Sequence, residues 1–168
     1  MIIERFRNDR MSVYSDGTDL VFQRTFDAPR ERVWQAFMDP DRIPRWWGPH
    51  GTTTTVVEMD VRVGGAWRYI SSAPDRDDVT FHGIYLEIEP PQRYRWTFLF
   101  DVEGMGEMGG PETFTFDDVG GRTKVTSRSH YGSVEEIEGA LETGMIRGAV
   151  ETWDRFEIVL TEEVESRV

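Results

Sequence analysis

The chain has 168 residues, with 19 Lys+Arg against 31 Asp+Glu and a formal net charge of −12. That balance argues against nucleic acid or an anionic membrane surface as a partner, and no stretch approaches the ~20 apolar residues of a membrane span. There is no cysteine, which excludes disulfides, thiolate nucleophiles and cysteine-based metal sites.

Length and apolar content suit one domain with a real core. Residues 1–18 are polar with scattered apolar positions and read as an N-terminal extension; residues 19–168 read as a single domain. Met1 to Arg10 lack the apolar core and cleavage site of a signal peptide, so a cytoplasmic location is expected. Leu20, Phe22, Arg24 and Phe26 alternate with Val21, Gln23 and Thr25, the pattern of a strand. Asp27-Ala28-Pro29 opens a helix over Arg30–Met38, with Asp27 as the expected cap. A short helical turn over Asp41–Trp46 leads into Trp47-Gly48-Pro49, a sharp turn.

Five or six strands follow. Thr52–Met59 is rich in β-branched residues. Ala66–Ser72 puts Trp67 and Tyr69 on one face. Val79–Ile88 is interrupted by Gly83, a bend or bulge signal. In Gln92–Phe100, Tyr94, Trp96, Phe98 and Phe100 share one face. Asp101–Pro111, rich in Gly and carrying Met105 and Met108, reads as a loop, either an ordinary hairpin connection or a mobile flap near the cavity mouth. Glu112–Asp117 and Arg122–Tyr131 form a hairpin around Val119-Gly120-Gly121. Ser133 and Glu136 make a capping box for one long amphipathic helix over Ser133–Glu163, with Ile137, Leu141, Met145, Gly148, Thr152, Phe156, Val159 and Leu160 on its apolar stripe. Residues 132–168 hold ten acids and three bases, the composition of a solvated helix face.

No catalytic constellation emerges. His50, His82 and His130 lack metal-ligand spacing, no Gly-x-Ser-x-Gly occurs, and Glu87 and Glu89 alternate with Leu86 and Ile88 as a solvent face. No cofactor and no metal are expected. The signal lies in the rings. Trp46, Trp67, Tyr69, Trp96, Phe98, Phe114 and Phe116 stand opposite a helix carrying Gly144, Met145, Gly148, Ala149 and Trp153. Large side chains facing small ones predict a closed or nearly closed apolar cavity bounded by Trp46, Trp67, Trp96, Phe98, Phe114, Met145 and Ala149, with Tyr69, His82 and Thr97 as its polar groups.

The order of these motifs resembles the START-like, or SRPBCC, superfamily. Within it, the chain looks like the branch named for homology to the activator of heat-shock protein 90 ATPase. The resemblance rests on Phe26-Asp27-Ala28-Pro29 with Val33-Trp34 and Phe37, on Trp46-Trp47-Gly48-Pro49, and on Gly64-Gly65-Ala66-Trp67-Arg68. It continues through Gly83 to Pro91, Trp96-Thr97-Phe98, Gly121 to Val125, and Gly144-Met145 to Gly148. It spans residues 19–164. The chain departs from the pattern at Gly148-Ala149, where the family shows Gly-Trp; the aromatic comes later, at Trp153. The resemblance implies an α+β helix-grip fold, a curved antiparallel sheet wrapped around a long C-terminal helix, with two short helices after the first strand. It also implies a module that binds a small apolar, lipid-like or aromatic ligand. A START-like enzyme of cyclase or lyase type in the same cavity is the alternative. A homodimer and a chaperone partner are further partner expectations.

Overall fold

The computed structural model describes residues 1–102 and 106–165. Its elements are, in chain order, β1 (Ile2–Arg7), β2 (Met11–Asp16), β3 (Asp19–Phe26), α1 (Arg30–Met38), α2 (Ile43–Trp46), β4 (Thr53–Met59), β5 (Ala66–Ala73), β6 (Arg76–Glu89), β7 (Arg93–Val102), β8 (Gly106–Val119), β9 (Arg122–His130), α3 (Val134–Leu141) and α4 (Met145–Glu165). The strands form one antiparallel sheet in the order β1-β2-β3-β9-β8-β7-β6-β5-β4. This is the α+β helix-grip architecture, with α4 running against α1, α2 and α3.

Period-two alternation decides which side chains face the helices. One cross-strand row on that face runs Val13, Phe22, Ser127, Phe114, Tyr94 and Ile88; the next runs Ser15, Leu20, Ser129, Glu112, Trp96 and Tyr85. Glu112 therefore sits on β8, the middle strand of the sheet.

Four local readings differ from what the sequence suggests. Residues 1–18 are not outside the sheet: they form the β1–β2 hairpin, with Met11, Val13 and Ser15 buried. A strand whose inward positions include a serine hides its alternation. Asp27 does not cap α1; the cap position is Pro29, with no side-chain cap bond, and Asp27 stands in solvent with a side chain 93% exposed. The C-terminal helix is two helices. Gly144 adopts φ +82°, a left-handed conformation that ends a helix and that glycine adopts without strain. Ser133 does cap α3, accepting from Glu136 N at 3.2 Å, while Glu136 reaches back to Gly132 N rather than to Ser133. Finally, much of the expected flap is ladder, since Gly110, Gly109 and Met108 pair with Phe98, Leu99 and Phe100. Met105 lies outside the described residues.

Two devices shape the sheet and seat the helix. At Gly83 the ladder of β6 with β7 is tight. A Cβ there would stand 1.8 Å from the Thr97 carbonyl oxygen, and Thr97 Oγ1 accepts from Ile84 N at 2.9 Å. The far half of α4 is held by arginines. Arg24, buried on β3, donates to Asp154 at 2.7 Å, Arg42 pairs with Glu163 at 2.7 Å, and Arg32 donates to the Leu160 carbonyl. From α4 itself, Arg155 donates to the carbonyls of Gly48 (2.8 Å) and Pro49 (3.2 Å). These bonds, with Thr54 Oγ1 donating to Trp47 O at 2.6 Å, fix the Trp47-Gly48-Pro49 turn, where Gly48 has φ +103°.

Candidate functional site

Most of the rings named from the sequence are brought together, and they pack on one another. Trp67 stacks on Trp96 with centroids 4.0 Å apart, and Phe114 stacks on Tyr94 at 4.9 Å. Trp46 lies against Phe37 and Phe156 and donates its indole N–H to Ala36 O. Phe116 meets Phe37 at 5.1 Å, Trp153 meets Phe26 at 6.0 Å, and Tyr69 sits against Trp67 and Trp47. Trp46, Trp67, Tyr69, Trp96, Phe114, Phe116 and Trp153 are all buried core. They contribute walls and filling rather than a closed chamber of the kind expected.

Phe98, Met145 and Ala149 behave differently. They are half-buried, and so are Trp47, Phe81, Tyr131, Leu141 and Ile146, all packed against the core without being enclosed by it. These residues come from α2's end, from β6 and β7, from the end of β9 and from the turns around Gly144. Trp47, Phe81 and Phe98 form one ring group, and the Tyr131 hydroxyl meets the Met145 sulfur at the start of α4; together these half-buried side chains make an apolar rim to the core. Beside it, an open cleft of about 710 Å³ lies between the Pro49–Thr52 loop, the β5–β6 turn (Ala73–Arg76) and Gly144, Arg147, Gly148 and Glu151 of the helix side. A Cβ on Gly148 would meet nothing within 4 Å, so the helix surface is open there. Arg147 pairs with Glu151 at 3.0 Å across one helical turn, and His50 N donates to the same carboxylate. These contacts hold the Glu151 carboxyl below its ordinary range.

The polar groups are not those anticipated. His82 faces away from the rings: its chain neighbour Phe81 is the one that meets Trp47 and Phe98, while His82 pairs with Glu107 at 3.3 Å. His130 lies at the surface with Asp19, 2.8 Å away. Thr97 is spent on the Gly83 junction, its carbonyl accepting from the Trp67 indole at 3.1 Å.

The group that does face inward is Glu112. Its Oε1 accepts from Trp96 Nε1 at 2.8 Å and its Oε2 from Ser127 Oγ at 2.8 Å. Burial pushes the carboxyl above its usual range, against the opposing effect of the bonds from Trp96, Ser127 and Ser129. Burial likewise pushes up the phenols of Tyr94 and Tyr131, which the Glu112 charge raises further. Glu112 shares its parity with Phe114 and Phe116, and that alternation alone places it inside.

The cluster is thus a packed set of aromatic rings with one oriented, half-buried carboxyl, half-buried apolar side chains against it and a lateral cleft. Among the described residues no group of three or more His, Cys, Asp or Glu is placed to hold a metal ion. No described helix is long and apolar enough to cross a membrane.

Protein Ms6760 of Mycobacterium smegmatis has a similar crystal structure: TM-score 0.80, 27% identity, covering 90% of this chain and 97% of that one. A protein from Arthrobacter aurescens, solved in solution, is 28% identical with TM-score 0.80, covering 90% and 91%. CalU16 from Micromonospora echinospora, at 18% identity and TM-score 0.53 over 99% of this chain and 87% of that one, shares the fold alone. No curated protein matches the chain. The family described as "Activator of Hsp90 ATPase homolog 1-like protein" matches residues 27–161, from the start of α1 almost to the end of α4. The chain belongs to that family.

Proposed function

We propose that this protein is a small-molecule binding module, holding an apolar, lipid-like or aromatic compound where the first turns of α4 face the concave sheet. One observation carries the reading. Phe81 meets Phe98 at 5.5 Å and Trp47 at 4.8 Å, Met145 lies against the Tyr131 hydroxyl, and these side chains, like Ile146 and Ala149, are only half-buried against the core. Apolar surface left exposed in a concave setting is the usual mark of a binding groove. Ala149 contributes to it by its size, since a large side chain there would project into the same space.

The alternative, a cyclase or lyase, gains some support from Glu112, because a carboxyl shifted by burial is a common catalytic group. Among the described residues no charged second group accompanies it. His82 and His130 are engaged with Glu107 and Asp19, and Glu112 is met by an indole and by hydroxyls. Binding is therefore the better-supported reading.

Native mass spectrometry of freshly purified protein tests for a retained ligand, and titration with Nile red, a neutral apolar dye, tests the groove. Nile red is expected to bind the parent protein, and Ala149→Trp is expected to weaken that binding at least about tenfold, the effect of losing roughly 1.4 kcal/mol of contact. Unchanged dye affinity in a folded Ala149→Trp protein refutes the location, and no dye binding at all refutes the function.

A further inference from the structure

Glu112 is unusual for a carboxylate at the middle of a sheet. Both oxygens are oriented, by Trp96 Nε1 and Ser127 Oγ, yet among the described residues no Lys, Arg or His forms an ion pair with it. The groups that face it are neutral: Trp96 and Tyr94 from β7, Tyr85 from β6, Ser127 and Ser129 from β9, and Tyr131 beyond it. Along its own cross-strand row the other members toward β1 are Ser129, Leu20 and Ser15. The first cation in that direction is Arg5, which donates to Ser15 Oγ and is committed to Glu138 at 2.7 Å; four strand spacings put it about 19 Å away. The helix side offers Met145, which is apolar and lies against the Tyr131 hydroxyl. A half-buried carboxylate among neutral groups, with no counter-charge, carries part of the cost of desolvation, and one fixed by two donors is oriented to meet a cation.

We propose that Glu112 is the recognition group of the groove and that the ligand is a cationic amine carried on an apolar or aromatic body. The ammonium meets the carboxylate beside the half-buried ring of Tyr131, whose phenol feels the Glu112 charge. Aromatic faces attract cations through the ring quadrupole, more strongly where water is excluded. The net charge of −12 acts in the same direction at long range, raising the local concentration of cations over anions. The direction of the Glu112 shift fits this assignment: without a cation beside it, burial favours the neutral carboxyl, and an arriving ammonium favours the charged one.

The inference rests on the binding-module reading, and the test separates the two. Three probes share one ring system and differ in charge: naphthylethylamine, naphthylethanol and naphthylacetate. Calorimetry should show the amine binding at least about tenfold more tightly than the alcohol, with the carboxylate weakest, a difference in keeping with one desolvated charge contact. In Glu112→Gln the amine should fall to the affinity of the alcohol, while the alcohol itself is unchanged. The parent protein supplies a second measurement that needs no variant. As pH falls through the Glu112 titration, amine affinity should drop and alcohol affinity stay level. An amine that binds no better than the alcohol, or that keeps its preference in Glu112→Gln or at low pH, overturns this assignment and leaves the groove standing. If none of the three probes binds, the binding-module reading fails and this one with it.

Discussion

Trp46 and Trp47 are chain neighbours with different surroundings, and the same substitution should separate them. Trp46 is buried, 3% exposed, between Phe37 and Phe156 at 4.9 and 4.7 Å, with its indole N–H on Ala36 O. Removing such a ring leaves a cavity worth about 3–5 kcal/mol and a carbonyl without its partner, adding about 1 kcal/mol. Trp47 is half-buried. It keeps edge contacts with Tyr69 (5.2 Å) and Phe81 (4.8 Å), each about 0.5–1.5 kcal/mol beyond area burial. Its turn is held independently by the Thr54 and Arg155 bonds. Trp47→Ala should therefore cost about 2 kcal/mol and Trp46→Ala about 4–5 kcal/mol. For 168 residues an unfolding entropy near 2.1 cal/mol/K per residue gives roughly 6 °C and 13 °C of lost Tm. Urea unfolding followed by far-UV circular dichroism is the suitable assay, because it does not depend on tryptophan emission, and the slope m must stay constant for the comparison to hold. Equal losses at the two positions, or a larger loss at Trp47, would refute the argument that burial decides the outcome.

Two further expectations concern glycines and acid. Gly83→Ala places a Cβ 1.8 Å from a backbone oxygen, so the ladder must shift and the cost should reach about 3 kcal/mol, the upper part of the overpacking range. Gly148→Ala, with nothing within 4 Å of its new Cβ inside a helix, should stabilise by about 0.5–1 kcal/mol; thermal unfolding of both variants checks the opposite signs. The Glu112 carboxyl binds its proton more tightly folded than unfolded, so its contribution to stability is fully present below its unfolded pKa and is lost as pH rises through the folded value. Glu112→Gln should remove that component, leaving stability flatter than the parent's above pH 4.5, the group's ordinary value. A parent-like slope in denaturant midpoints across that window would show that Glu112 is not the group responsible.

Strands β3 to β7, the second half of β8, β9 and the helix α1 are legible in the sequence because bulky apolar or β-branched residues there follow a period of two or of 3.6, whereas the Gly-rich first half of β8 reads as a loop. The β1–β2 hairpin is not, since Ser15 takes an inward position and the hairpin's outward residues are as polar as any loop. The break in the C-terminal helix is hidden by its stripe: Leu141 and Met145 keep helical spacing across Gly144, and only the backbone angle at that glycine separates α3 from α4. For the site, alternation finds the rings but not which of them fill space and which line it, because that depends on how far α4 stands from the sheet. Glu112 carried a usable signal in its parity with Phe114 and Phe116. His82 carried the opposite one, being out of phase with Phe81 and Tyr85.

The anchoring of α4 is lopsided. Arg24, Arg32, Arg42 and Arg155 bind its length from Asp154 onward, whereas its first turns begin at a left-handed glycine and flank the cleft. The helix is built as a beam clamped at one end. The first turns carry lighter ties, His50 N to Glu151 and the Tyr131 hydroxyl to the Met145 sulfur, and precede the core residues Phe156, Val159 and Leu160. Substitution at Gly148, Ala149 or Met145 is therefore expected to disturb the fold less than loss of any of the four arginines.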